Sequence, residues 1–237
     1  MKKVQFLMIL LLLAVVFSSC QKINGKGDVV TEDRSVSGYD AVLLAMDANV
    51  YVTNGDTFSL QVLAQENILP YIITKVENDR LVIEVKHHVY LGNHEPIQIL
   101  VTAPGIKSLS VAGSGDIEEQ NDWYGTSLKV SVSGSGDIYL ENVYGDLMNA
   151  DISGSGNIEA AGGDVTDEDL NISGSGNIDL RYVTADHVEA TISGSGNMYV
   201  QALLFLDATI SGSGNIYYLG NPQINVQISG SGIIQKL

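Results

Sequence analysis

Along the second half of the chain, apolar and polar positions alternate with a period of two. Val188, Ala190 and Ile192 point one way, and Glu189 and Thr191 point the other. The same alternation runs through Leu206, Ala208 and Ile210, and through Ile224, Val226 and Ile228. A period of two is the mark of a β-strand with one buried face. After each such stretch come a Gly-Ser-Gly turn and then an apolar residue: Ile117, Ile138, Ile158, Ile178, Met198 and Ile216. Two places further on, Leu140, Leu180 and Val200 keep the same phase, so every repeat supplies inward residues on both sides of its turn.

The turns begin at Gly113, Gly134, Gly154, Gly174, Gly194, Gly212 and Gly230, at spacings of 21, 20, 20, 20, 18 and 18 residues. One repeat cannot bury its apolar face alone. Stacking equivalent strands about 4.8 Å apart buries that face and pairs the backbone at once. The pattern therefore predicts an all-β fold, a single-stranded right-handed parallel β-helix (solenoid). The glycines are expected because a sharp corner demands backbone angles costly for residues with a Cβ. Equal positions then lie above one another. Asn157, Asn177, Asn197 and Asn215 are expected to form an amide ladder, with Asp116 and Asp137 on the same column. Two adjacent carboxylates repel, so one of this pair is expected to hold a proton or share a cation.

Residues 29–110 alternate too, as in Phe58, Leu60 and Val62 and in Ile97, Ile99 and Val101, but they lack the turn motif. They are expected to be atypical first coils that cap the stack, with a separate small β-domain as the alternative. Asn54-Gly55 carries a hairpin-like turn signal. The repeat coils then occupy 111–237.

The start of the chain has a different pattern. Lys2 and Lys3 precede an apolar run from Phe6 to Phe17, followed by Ser18, Ser19 and Cys20. This is the build of a secretory signal over residues 1–19, with an apolar run too short to span a bilayer as a mature helix. Cys20 is the one cysteine, and its place at the signal boundary is the bacterial lipoprotein pattern, with Phe17 where an aliphatic residue is usual. Cys20 is therefore the expected lipidation site, and the membrane an expected partner through that lipid. Residues 20–28 are polar and suit a tether.

The full chain carries a net charge of −16, and removing residues 1–19 takes away two lysines and no acid, leaving −18. Such a surface excludes nucleic acid as a partner.

Several segments together resemble a known family. Gly38-Tyr39-Asp40-Ala41-Val42, Asn67-Ile68-Leu69-Pro70, Val101-Thr102-Ala103-Pro104 and the repeated Gly-Ser-Gly-Asp/Asn turns are similar to the putative auto-transporter adhesin head domain family, common in Bacteroidetes lipoproteins. The resemblance covers most of the mature chain and implies a β-helix. It implies no catalytic residues and no cofactor. It places the chain in the cell envelope, at the outer membrane, without saying which side it faces.

Candidate chemistry is sparse. The outward column after each turn reads Glu118, Tyr139, Glu159, Asp179, Tyr199, Tyr217. Glu159 and Asp179 would sit one coil apart, near the separation of a retaining glycosidase pair, although a solvated acidic face is the favoured reading. Tyr199 and Tyr217 are expected to stack as the one place where aromatics recur on adjacent coils. With Tyr139 they are the candidate ligand-binding residues, for a glycan or a protein. His87, His88, His94 and Glu95 match no metal-site spacing and are read as a polar loop. Asp164, Asp167, Glu168 and Asp169 are read as an acidic loop between coils, with no metal assigned. The sequence thus favours a non-catalytic envelope lipoprotein that binds a glycan or protein. A polysaccharide-active enzyme and a passive structural protein are the alternatives.

Overall fold

The computed structural model describes residues 21–237; the expected signal segment 1–19 and the expected lipidation site Cys20 lie outside the described residues. Among these residues the only helix is the 3-10 turn Leu69–Tyr71, and strands make up most of the rest.

The centre is a solenoid of parallel coils. Ile138–Ile152, Ile158–Ile172 and Ile178–Ile192 are strands of 15 residues, each running around most of one coil. They pair in parallel at a constant offset of 20, Ile138 on Ile158 and Ile158 on Ile178. The five residues between strands form the Gly-Ser-Gly corner, also laddered: Ser155 N–H donates to Gly134 O at 3.0 Å, and Ser175 N–H to Gly154 O at 2.9 Å. The alternation therefore sorts as its period demands. Ile117, Ile138, Ile158, Ile178, Met198 and Ile216 stack in one column and are fully buried. Each contributes about 2–3 kcal/mol by leaving water.

The corner glycines are present for a different reason from the one the turn chemistry suggests. None of those in the repeated turns has a positive φ. What forbids a side chain is the neighbouring coil: a Cβ on Gly176 would collide with the carbonyl oxygen of Gly156, and one on Gly156 with that of Gly136. The coils approach each other backbone to backbone at this corner.

The drop in spacing from 20 to 18 is absorbed away from the corner. Asp179 pairs with Tyr199, but Thr184 pairs with Gln201, and the register shifts again between Ala185 and His187. The longer coil bulges at Arg181 and Tyr182, leaving Tyr182 exposed.

Most strands before residue 108 join the same 17-stranded sheet by a mixed pattern, while Gln21–Ile23 and Val89–Leu91 form a two-stranded sheet of their own. Ala41–Ala45 and Asn49–Asn54 lie parallel beneath Ser108–Val111 and Asp116–Glu119, with Met46 to Ala48 where the glycine corner would be. Arg80–Val85 and Gln98–Ala103 add one more parallel layer. Beyond that the strands reverse. Ile72–Glu77 pairs antiparallel with Arg80–Val85, Ser59–Gln65 with Gln98–Ala103, and Val29–Asp33 with Ser59–Gln65. These antiparallel strands close the first end of the stack, where atypical capping coils were expected.

Two local expectations are corrected. Asn54-Gly55 is not a hairpin, because Gln98–Ala103 lies between the two strands it connects. The tight hairpin is instead at Asn78 and Asp79, both at positive φ, joining Ile72–Glu77 to Arg80–Val85. The stretch 21–28, expected as a loose tether, is docked: Gln21–Ile23 pairs in parallel with Val89–Leu91, and Lys26 N–H donates to Asn67 Oδ1 at 2.7 Å.

Candidate functional site

The outward column after the corners is in register over the whole stack: Tyr51, Glu118, Tyr139, Glu159, Asp179, Tyr199, Tyr217. Tyr199 and Tyr217 stack as expected, with ring centroids 4.9 Å apart and planes 14° from parallel. The bulge adds a third layer. Arg181 lies 4.2 Å over the Tyr199 ring and grips Asp179 with two bonds, Nε to Oδ1 at 2.8 Å and Nη2 to Oδ2 at 2.7 Å. Asp179, Arg181, Tyr199 and Tyr217 thus form one continuous polar-to-aromatic strip along the solenoid. A cation over a ring contributes about 0.5–2 kcal/mol and holds the guanidinium flat.

This arrangement disposes of Asp179 as a partner for Glu159. The two are adjacent in register, but both Asp179 oxygens are taken by Arg181. Tyr139 belongs to the same column but stands three coils from Tyr199. Its hydroxyl donates to Asp137 Oδ2 at 3.1 Å, and burial together with Asp137 pushes it up to about 12.

Between Tyr139 and the strip lies a groove of about 650 Å³. Its origin is the run Ala160-Ala161-Gly162-Gly163, whose small side chains leave one coil low between two bulkier ones. Tyr139 and Tyr182 flank it, Leu140, Ala160 and Ala161 floor it, and Glu118, Glu141 and Glu159 ring it. Glu119 lies in its wall and was not singled out by sequence. It stands on the inward phase, level with Val52, is 1% exposed, and accepts one bond from Asn54 Nδ2 at 2.8 Å. Its Oε2 has no partner, and burial pushes the carboxyl up to about 7 against the opposing pull of the Asn54 bond. The signal was available: an acid two places after Ile117 breaks the alternation.

The acidic loop is also corrected. Asp164 to Asp169 lie on the strand Ile158–Ile172, not in a loop. Asp164, Asp167 and Asp169 point outward to separate partners, Thr184, His187 and Asn171. Glu168 points inward between Met148 and Val188, is 2% exposed, and neither oxygen has a partner. Burial alone raises its pKa well above the ordinary value.

The ladder is present. Asn177 Nδ2 donates to Asn157 Oδ1 at 2.9 Å, Asn197 to Asn177 at 3.1 Å, and Asn215 to Asn197 at 2.9 Å. The carboxylates of Asp116 and Asp137 do not share a bond with each other. Asp116 accepts the Asp137 backbone N–H, and Asp137 accepts from Asn157 and Tyr139.

Tyr199 and Tyr217 are also not the one aromatic recurrence. Tyr124 and Tyr144 stack on adjacent coils at 5.1 Å. Their spacing of 20 was visible in the sequence. His88 sits in a turn at positive φ, and His94 Nδ1 donates to the Glu95 carbonyl at 2.7 Å. Among the described residues no group of three or more His, Cys, Asp or Glu side chains is placed to hold a metal.

A family model described as "putative auto-transporter adhesin, head GIN domain" matches residues 38–222. Solved structures share the fold. A putative adhesin from Bacteroides fragilis superposes with a TM-score of 0.86 at 25% identity, over 91% of this chain and 100% of that one. A putative lipid binding protein from Parabacteroides distasonis gives 0.77 at 29% identity, over 92% and 100%. A putative adhesin from Parabacteroides merdae gives 0.76 at 19% identity, over 92% and 99%, and bears on the fold alone. No curated protein matches the chain.

Proposed function

Because this chain belongs to the putative auto-transporter adhesin head GIN domain family, we propose that it is a non-catalytic binding module of the cell envelope, held by a lipid on Cys20, that takes neutral sugars of a glycan along the strip from Tyr139 to Tyr217. The observation that carries this reading is the stacked pair Tyr199–Tyr217 with Arg181 laid over it, beside a groove of about 650 Å³ flanked by Tyr139 and Tyr182. Arg181 and Tyr217 cover the two faces of Tyr199, so the pair offers a sugar its ring edges and hydroxyls. The exposed Tyr139 and Tyr182 beside the groove offer apolar ring surface, and the flanking carboxylates accept sugar hydroxyls. The net charge of −16 turns away polyanions. A basic patch on a protein is the second ligand that such a field favours.

No helix among the described residues is long and apolar enough to cross a membrane. Gln21–Ile23 is already paired, so Cys20 precedes a docked strand directly and the covered end of the solenoid is held near the bilayer.

The test is a glycan array probed with the native chain and with the Tyr199→Ala/Tyr217→Ala double variant. Aromatic anchors at a binding centre contribute about 2 kcal/mol or more, so the variant should keep its fold and lose at least about thirtyfold in affinity. Full affinity in the folded variant would remove this face. The anchor is tested apart from the ligand: Cys20→Ala should move the protein from the membrane fraction to the soluble one.

A further inference from the structure

The two ends of the solenoid are not alike. One inward column runs Leu109, Val130, Ala150, Leu170, Ala190, Ala208, Val226. The first six are between 0% and 2% exposed, and Val226 is 44% exposed. Its neighbours on the same last strand, Ile224 and Ile228, are 41% and 44% exposed, although Leu206 and Ile210 beneath them are buried. Followed the other way, the column passes Val42 and Leu81, both fully buried, and antiparallel Ile72–Glu77 lies beside it. The first end is therefore closed by reversed strands, whereas the last coil leaves its core side chains in water.

The backbone is open there as well. Gln223–Ile228 pairs with one strand only, Met198–Ile210, and Ile234–Lys236 pairs only with Ile216–Leu219. An apolar strand edge is normally blunted with charges. Here the opposite holds. All 28 acidic side chains of the chain lie at or before Asp207, and beyond it the only charged side chain is Lys236, which bonds Asn221 at 2.6 Å. In a molecule of net charge −16 the open end is thus nearly free of charged side chains, with Asp207 one coil below bonded to Asn225 at 2.9 Å.

We propose that this end is a docking surface for a second copy of the same chain, paired about a twofold axis through antiparallel contact of the two Gln223–Ile228 strands. Three features select a copy over an unrelated partner. A neutral, self-complementary surface is what two strongly acidic molecules need in order to meet, since elsewhere they repel. The apolar residues Ile224, Val226 and Ile228 alternate with the amides Gln223, Asn225 and Gln227. Amides both donate and accept, so a row of them complements its own reverse. Antiparallel addition also satisfies the free backbone groups of both edges at once. The covered ends then lie at opposite poles. On the lipid-anchored reading above, paired copies would reach from two membranes rather than sit side by side in one. The pairing itself does not depend on the anchor or on the tyrosine strip.

Sedimentation velocity of the full-length chain, in density-matched detergent and at up to about 100 µM, where an interface of ordinary size is populated, tests the proposal. The native chain should sediment as a dimer that dissociates on dilution. Val226→Lys should keep its circular dichroism, since the site is already half exposed, and should sediment as a monomer at every concentration. Val226→Glu should do the same, and mixing the two variants should restore a mixed dimer. A native monomer throughout overturns the proposal, as does a dimer that survives both substitutions. Two monomeric variants that fail to pair when mixed reject the meeting of these strands about a twofold.

Discussion

Residues 29–110 and the repeat coils bury the same kind of core, and their corner and turn glycines serve opposite ends. In the repeats, glycine is a spacing device. Gly134, Gly154 and Gly174 stack so closely that each would drive a Cβ into the carbonyl of the glycine below. In the early region, glycine is a conformational device. Gly38 and Gly105 have φ of 76° and 65°, and the space around them is open. Regular stacking thus makes a demand between coils that a single coil does not carry. The irregular region turns its chain within one layer, reverses strands, and closes the end of the stack.

The largest test of this contrast is Gly176→Val. Relief of the clash with Gly156 requires two coils to part, so a loss of about 4 kcal/mol is expected, at the upper range for single substitutions. A chemical-denaturation midpoint within error of the native chain would show that the corner has slack.

The next effect concerns the two inward acids, one at the end of the first strand after a glycine corner, against the irregular region, and one in the regular stack. Glu119 and Glu168 are both raised by burial, so the folded chain keeps their protons to higher pH than the unfolded chain. Stability is full below the ordinary value of 4.5 and falls as pH rises, and the share of Glu119 is fully lost above about 7. That share is on the order of 3 kcal/mol. Urea unfolding at pH 5 and pH 8 should show the drop, and Glu119→Gln should remove the part that ends near 7. Glu168→Met, matching Met148 one coil below, should stabilise the chain at pH 8 by about 2 kcal/mol. A variant less stable than the native chain at that pH would mean that Glu168 has a partner in solution.

Asn177→Asp probes the ladder, which the irregular region lacks. The new carboxylate would face Asn157 Oδ1, an acceptor against an acceptor, in place of a 2.9 Å bond. A cost of about 1–2 kcal/mol is expected near neutral pH. It should be partly recovered on acidification, when the protonated group can donate. Thermal unfolding at pH 4 and pH 7 measures both, and identical curves for the two proteins would reject a packed column. The smallest effect belongs to Gly105→Ala. Nothing lies near its Cβ, so only the positive φ is charged, about 1 kcal/mol. A loss as large as that of Gly176→Val would erase the distinction between the two uses.

Much of the architecture was legible because the repeat makes each position speak several times. The alternation in Val188 to Ile192 and the recurring Asn157 and Asn177 placed the buried columns and the ladder. The irregular region gave one voice per position. Its strands alternate equally well whether parallel or antiparallel, so nothing in Leu60 or Val62 told which way Ser59–Gln65 runs. The site was half legible. Tyr199 and Tyr217 were found from spacing alone, but Arg181 was not, because it reaches Tyr199 only through a bulge made by a register shift.

By itself the sequence determined the strands of the repeats, their stacking and the residues that share a column, since period two and a fixed spacing leave one way to bury the apolar face. The tertiary structure decided everything that depends on two coils at once. It decided that the glycines serve close approach rather than special angles, that Glu168 lies inside although its acidic neighbours face out, and that one end of the stack is closed and the other open. Those are properties of distance between segments, and a linear pattern of polar and apolar residues carries the order of contacts but not their separation.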